Sequence, residues 1–126
     1  VVNRPTLADR NNNPGNLRFA GQTNAVLGDK GFARFPTPQD GFNALKRQVV
    51  LDAKRSLTAA QFIFKYAPPN ENNTNGYLKF FCHHLLCTPD TPLKIIVSKN
   101  GLTRVAHVIS MQEDFKYYDR VIRHLR

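Results

Sequence analysis

The stretch Asn11-Asn12-Asn13-Pro14-Gly15-Asn16-Leu17-Arg18 is built from polar residues and turn formers, with Leu17 its one apolar side chain. Gly15 and the asparagines tolerate positive φ, whereas Pro14 fixes its own φ and holds Asn13 extended. An ordered polar turn is expected, neither helix nor strand interior. It leads into an aromatic, glycine-punctuated stretch from Phe19 to Phe35. Amide side chains on a rigid turn suit hydroxyl-rich and acetamido-rich ligands, because each amide both donates and accepts. Composition alone reads the asparagines only as a capped loop.

Outside this turn the bulk properties set the class. The chain of 126 residues is long enough to bury a core as one domain over residues 1–126, with residues 1–10 as a lead-in of little periodicity. A hydrophobic content of 41% with interleaved charges argues against disorder. No apolar run approaches the roughly 20 residues of a membrane span. No signal-peptide pattern is read at Val1 onward; a mature chain, an excised domain and a shortened chain would all look like this. The formal charge of +9 implies an anionic partner: nucleic acid, membrane surface or bacterial envelope polymer. Apart from Arg120, Arg123, His124 and Arg126, the cations are spread along the chain. Zinc-finger spacing, a basic recognition helix and an RNP-like strand are missing, so specific reading of nucleic acid is not expected.

Cys82 and Cys87 would lie on different faces of a continuous helix, too far apart to bridge. A helix end near Leu86 would make a disulfide possible. Two ordinary thiols are the first reading, a disulfide in an oxidising compartment the second. Metal ligation through Cys82-His83-His84 and Cys87 is the third, since zinc spacing is lacking. No metal and no cofactor is expected.

The chain in order reads as mainly α. Leu17 to Phe35 predicts short extended segments around Gly21, Gly28 and Gly31, in the form of a small hairpin or flap. Thr37-Pro38-Gln39-Asp40 starts a helix that runs through Phe42, Leu45 and Val49 to about Lys54. Thr58 caps the next helix, with Gln61 three residues on and Phe62, Ile63 and Tyr66 on its buried face. Pro68 and Pro69 break the pattern. Asn72 or Asn73 then caps a helix with Tyr77, Leu78, Phe81, Leu85 and Leu86. Leu93 to Val97, β-branched at Ile95, Ile96 and Val97, reads as an extended segment. After the Asn100-Gly101 turn, Leu102, Val105, Ala106 and Ile109 form a helical stripe. Tyr118, Ile122 and Leu125 predict a terminal helix, capped by Asp114. The total is about five helices with a minor extended part.

Chemistry has few places to sit. Continuing the stripe from Leu102 reaches Glu113, a carboxylate where the helix leaves the core. Partial desolvation there disfavours the charged form. An acid of raised pKa is what protonation of a glycosidic oxygen requires near neutral pH. The bland alternative is a solvated Glu at a helix end. Glu71, in the Pro/Asn-rich loop, is the second candidate, with a solvated loop residue as its alternative. His83, His84, His107 and His124 have no partnered Ser or Cys signature, and GxSxG is absent.

Three blocks carry a family resemblance. Asn11-Asn12-Asn13-Pro14-Gly15-Asn16-Leu17-Arg18 resembles the "NNNPGN" signature of phage and prophage lysozyme-like virion proteins. Phe32-Ala33-Arg34-Phe35-Pro36-Thr37-Pro38-Gln39-Asp40-Gly41 is similar to their "F-A-x-F-x-T/S-P-x-x-G" helix start. Tyr66-Ala67-Pro68-Pro69-Asn70-Glu71-Asn72-Asn73-Thr74 with Tyr77 resembles their "W/Y-A-P-P-x-E-N-x-T-x-x-Y" block. More distantly, the blocks resemble the glucosaminidase and lytic transglycosylase group, in which the catalytic Glu precedes the Asn-rich turn. Here the segment that resembles the Glu-bearing helix, Val105 to Glu113, follows the turn, as a circularly permuted order would have it.

The resemblance implies a lysozyme-like helical domain, with its small hairpin flap, that cleaves the β-1,4 glycan strands of peptidoglycan. Glu113 would be the general acid and base of a lytic transglycosylase, or would pair with Glu71 in a muramidase. Asn13, Asn16, Tyr66, Asn72 and Tyr77 would bind substrate, amides on acetamido groups and aromatics on sugar faces. The implied setting is secreted, virion-associated or delivered to the bacterial periplasm. A phage tail, a secretion-machine carrier or an inhibitor or immunity protein would be its partners beside the anionic envelope. Two alternatives from other classes are a non-catalytic cell-wall-binding or virion structural domain, and a basic nucleic-acid-binding module.

Overall fold

Thr6 and Asp9 cap the first helix reciprocally. The Thr6 hydroxyl accepts from the Asp9 N–H, and the Asp9 carboxylate accepts from the Thr6 N–H. The residues expected as a lead-in therefore contain a four-residue helix, α1 (Leu7–Arg10). Its Ala8 and Asp9 are buried.

The computed structural model describes residues 5–116. They are mainly helical, with one small antiparallel hairpin. The helices after α1 are α2 (Pro38–Lys54), α3 (Ala59–Tyr66), α4 (Thr74–Leu85), α5 (Leu93–Asn100) and α6 (Leu102–Gln112). The hairpin pairs β1 (Val26–Leu27) with β2 (Ala33–Arg34), Val26 opposite Arg34 and Leu27 opposite Ala33. Lys30 at φ 58 and Gly31 at φ 84 supply the left-handed backbone of its connection. Among the described residues no helix is long and apolar enough to cross a membrane. The terminal helix expected around Tyr118, Ile122 and Leu125 lies outside the described residues.

The chain divides into two compact units. One takes the residues up to Leu45 together with those from Ile109 onward, and the other is Lys46–Val108. The first contains α1, the asparagine turn and the hairpin. Its buried apolar residues include Leu17, Phe35, Phe42, Leu45, Ile109 and Phe115. The second contains α3, α4 and α5, and buries Phe62, Ile63, Phe81, Leu85, Leu93 and Ile96.

Local signals govern most helix starts. Thr37 caps α2 by accepting from the Asp40 N–H at 3.2 Å. Thr58 and Gln61 form a capping box on α3. Asn73, not Asn72, caps α4, its Oδ1 accepting from the Gly76 N–H at 3.1 Å. Within the second unit, Asp52 is 1% exposed and gathers Lys65 Nζ at 2.6 Å, Arg55 at 3.0 Å and Gln48 Nε2 at 3.0 Å. Three donors compensate the desolvated carboxylate.

The segment from Leu93 to Val97 corrects the sequence-based expectation, being the first part of helix α5 and not an extended strand. Pro92 ends the preceding turn and precedes the first helical residue. The Leu93 N–H donates to the Leu57 carbonyl at 2.8 Å, and Leu93 and Ile96 are buried one turn apart. β-branched residues disfavour a helix by well under about 1 kcal/mol each. Burying two large apolar side chains contributes about 2 kcal/mol each and outweighs that.

Gly41 positions α2 in the first unit. A Cβ there would overlap the Asn12 carbonyl oxygen and stand 2.6 Å from Pro14 Cδ. The first turn of α2 thus lies against the backbone of the asparagine turn, at a distance only glycine permits. Elsewhere in a helix Gly→Ala stabilises by about 1 kcal/mol. Gly41→Ala is expected to reverse that sign and destabilise by about 2 kcal/mol or more, measured by chemical denaturation. A more stable variant would refute the close approach.

Candidate functional site

The amide groups of the asparagine turn have different partners. Asn13 is fully buried. Its Nδ2 donates to the Leu17 and Ala33 carbonyls, both at 2.9 Å, and its Oδ1 accepts from the Leu17 N–H at 3.0 Å. Both of its amide protons are used, and no surface is left for a ligand. Asn13, expected among the substrate-binding residues, instead ties the turn to β2. Asn11 is also fully buried, and its Oδ1 accepts from Arg34 Nε at 3.2 Å. Asn12, at φ 49, donates its Nδ2 to the Phe35 carbonyl at 3.0 Å. The chain thereby wraps its own backbone around the turn.

Asn16 faces elsewhere. It takes left-handed backbone at φ 47, and its N–H donates to the Asn13 carbonyl at 3.0 Å. Its Nδ2 donates to Glu113 Oε1 at 3.1 Å, across 97 positions of sequence. Its Oδ1 is buried without a partner among the described residues. A carboxylate only accepts, so an Asn beside it presents its NH₂ group. Asn16 and Glu113, singled out separately in the sequence, are neighbours.

The position of Glu113 follows from the way α6 ends. Val105, Ala106, Val108 and Ile109 bury the apolar face of α6. The Glu113 N–H still bonds back to the Ile109 carbonyl at 2.9 Å. Asp114 then turns left-handed at φ 61. Its N–H bonds to the Met111 carbonyl at 3.1 Å, and the Phe115 N–H to the Ser110 carbonyl at 3.0 Å. This pair of bonds is the Schellman closure of a helix C-terminus. It leaves Glu113 half-buried at the helix edge.

Two further contacts hold this turn. Phe115 meets Phe42 edge-on, with ring centroids 5.7 Å apart. The α1 cap reaches the same turn, Thr6 Oγ1 donating to the Asp114 carbonyl at 2.9 Å and Asp9 Oδ1 accepting from the Lys116 N–H at 2.9 Å. Asp114, expected as the cap of the terminal helix, is described only as the left-handed closure of α6. The strap from Thr6 and Asp9 is not anticipated by the sequence patterns. Its local half is visible there, because Thr6-x-x-Asp9 is a capping-box spacing.

The other candidates belong to the second unit. Tyr77 is 4% exposed, with its ring 6.4 Å from that of Tyr66. A sugar cannot stack on a ring whose faces are already covered, so Tyr77 serves the core and not a sugar platform. Tyr66 is half-buried and packs on Phe62 at 5.5 Å. Glu71 is exposed in a turn whose N–H groups at Glu71 and Asn72 both bond to the Pro68 carbonyl, at 3.0 and 3.1 Å. Asn72 is exposed and donates its Nδ2 to that carbonyl at 3.3 Å. No three His, Cys, Asp or Glu side chains converge as a metal ion would need among the described residues.

Comparison with known proteins gives no match to any protein-family model and none to a curated protein.

The two asparagines should separate on mutation. Asn13→Ala takes the partner from the Leu17 N–H and the Ala33 carbonyl, while the Leu17 carbonyl keeps the Ala33 N–H, and is expected to lose about 3 kcal/mol of stability. Asn16→Gly keeps the left-handed backbone accessible and should change stability by less than about 1 kcal/mol. Denaturant unfolding of both variants checks this, and equal losses would show that the division of labour is wrong.

Proposed function

We propose that the protein cleaves peptidoglycan glycan strands as a lysozyme-like lytic transglycosylase, with Glu113 as its acid and base. The observation that carries the reading is the bond from Asn16 Nδ2 to Glu113 Oε1 at 3.1 Å. It joins the turn that resembles the family signature to the carboxyl group expected to act. A donor fixed on a rigid turn orients the carboxylate, while half-burial shields it in part from water. The net charge of +9 supports the same substrate, since bacterial envelope polymers are anionic.

The chemistry needs one carboxyl group. Protonated Glu113 gives its proton to the glycosidic oxygen as the bond from the muramic acid C1 breaks. The muramyl 6-hydroxyl oxygen then closes on C1, and the Glu113 carboxylate takes the hydroxyl proton. The acid is regenerated and the product ends in a 1,6-anhydro sugar. A muramidase would add water in place of the 6-hydroxyl and use a second carboxylate. The one-carboxyl route asks only for the group that Asn16 holds.

Purified sacculi incubated with the protein should release anhydromuramyl products, identified by mass spectrometry. Glu113→Gln preserves size and hydrogen bonding but cannot donate the proton, and should slow release by about 10²–10⁴-fold. Full activity in this variant would remove Glu113 from the chemistry. Reducing muramic ends would mark a hydrolase. Intact sacculi under wild-type protein, with retention of the protein on them, would mark a wall-binding domain. A steeply salt-dependent affinity for DNA without any effect on sacculi would mark a nucleic-acid module.

A further inference from the structure

Helix α4 ends at Leu85, and Leu86 takes left-handed backbone at φ 53. A side chain with a β-carbon disfavours this conformation, which glycine or asparagine would adopt more readily. Leu86 also keeps 89% of its surface exposed, so burial does not compensate. What the turn achieves is to bring Cys87 back over the last turn of α4. The Leu86 N–H bonds to the Cys82 carbonyl, and the Cys87 N–H bonds to the same carbonyl at 3.1 Å. In this helix closure, the residue after the left-handed one meets the residue five positions before it, commonly through an apolar contact. Here both residues are cysteines, and both line the same recess.

Both thiols are half-buried and line an open recess of about 390 Å³ with Thr88, Thr91, Lys99 and Asn100. A small oxidant can reach them there. The segment that follows Cys87 docks within the same unit. The Ala59 and Ala60 N–H groups donate to the carbonyls of Thr91 and Pro89, both at 2.9 Å, and Leu93 N–H donates to the Leu57 carbonyl at 2.8 Å. A covalent link at Cys87 would hold the start of α3, the end of α4 and the start of α5 in one cluster.

We propose that Cys82 and Cys87 are a disulfide-forming pair that staples the C-terminal turn of α4 when the protein meets an oxidising compartment. The proposal stands apart from the cleavage chemistry at Glu113. With a small-molecule disulfide as oxidant, the Cys82 thiolate attacks one of its sulfurs and the partner sulfur leaves as a thiol after taking a proton. Cys87 then loses its proton and attacks the Cys82 sulfur, releasing the second small thiol. Two protein thiols are oxidised and one external disulfide is reduced. The order follows from the environments. Burial, then the hydrogen bond to Cys82 and its charge, push the Cys87 thiol up to about 12. Burial raises Cys82 as well, while its hydrogen bond with Cys87 acts in the opposite direction. Capping Cys82 as a mixed disulfide removes its thiol and its charge from beside Cys87, which frees Cys87 to react.

The test uses oxidised glutathione at about pH 8, where unperturbed thiols ionise in part. Intact-mass measurement after alkylation should show a monomer lighter by two hydrogens, with no alkylated cysteine. Its melting temperature should rise by about 5 °C over the reduced form and fall back with dithiothreitol. Cys87→Ser should stop at a glutathione adduct on Cys82, and Cys82→Ser, which removes the same thiol and charge from beside Cys87, at an adduct on Cys87. A stable glutathione adduct on the wild type, a disulfide-linked dimer or unreacted thiols would overturn the proposal. Both serine variants should still cleave sacculi if the wild type does, so failure of either proposal can be told from failure of the other.

Discussion

The buried amide of Asn13 is the constraint on which the first unit depends. Three hydrogen bonds from one side chain tie the asparagine turn to Leu17 and to Ala33. Without them a loop rich in positive φ would have no reason to hold one conformation, because each left-handed asparagine costs backbone energy that only its surroundings offset. With the turn fixed, Asn12 can present its carbonyl to Gly41 and Asn16 can present its amide to Glu113. A single buried group thus fixes the backbone that the first turn of α2 packs against and places the donor of a carboxylate.

The carboxylate is held from its own side as well. Glu113 follows an apolar helix whose closure is complete at the backbone, and the turn after it is gripped by Phe42 and by the α1 cap. A long, flexible acid at a frayed helix end would lose rotamer entropy on every encounter with substrate. Anchoring the turn on both sides leaves only the side-chain torsions to be ordered. The proposed chemistry gains from that, since it asks one carboxyl group to give a proton and take another at nearly the same place.

The two helix closures that matter most, after α4 and after α6, use side chains where glycine would be easier. Leu86 and Asp114 both take left-handed backbone. In each case the closure delivers the following side chain to a specific partner. Cys87 meets Cys82, and Phe115 meets Phe42. Local strain is exchanged for a defined contact, a pattern expected where geometry matters more than stability.

Sequence alone determined the parts whose causes lie within a few residues of each other. The caps at Thr37 and Thr58, a cap at Asn72 or Asn73, the breaks at Pro68 and Gly101, the hairpin between Leu17 and Phe35 and the apolar stripe leading to Glu113 are all legible. Capping and periodicity are short-range effects of neighbouring side chains on one backbone. Tertiary structure alone decided that Leu93 to Val97 is helical, because its burial outweighs its β propensity. It alone decided that Asn13 is enclosed within the fold while Asn16 faces the acid, and that Tyr77 is a core residue. Four asparagines in one turn have the same chemistry, and nothing local says which way each one points. Taken by itself the opening stretch reads as a capped loop or as an amide turn for a ligand; in the folded chain it is a scaffold that offers one amide, Asn16, to a carboxylate 97 residues away.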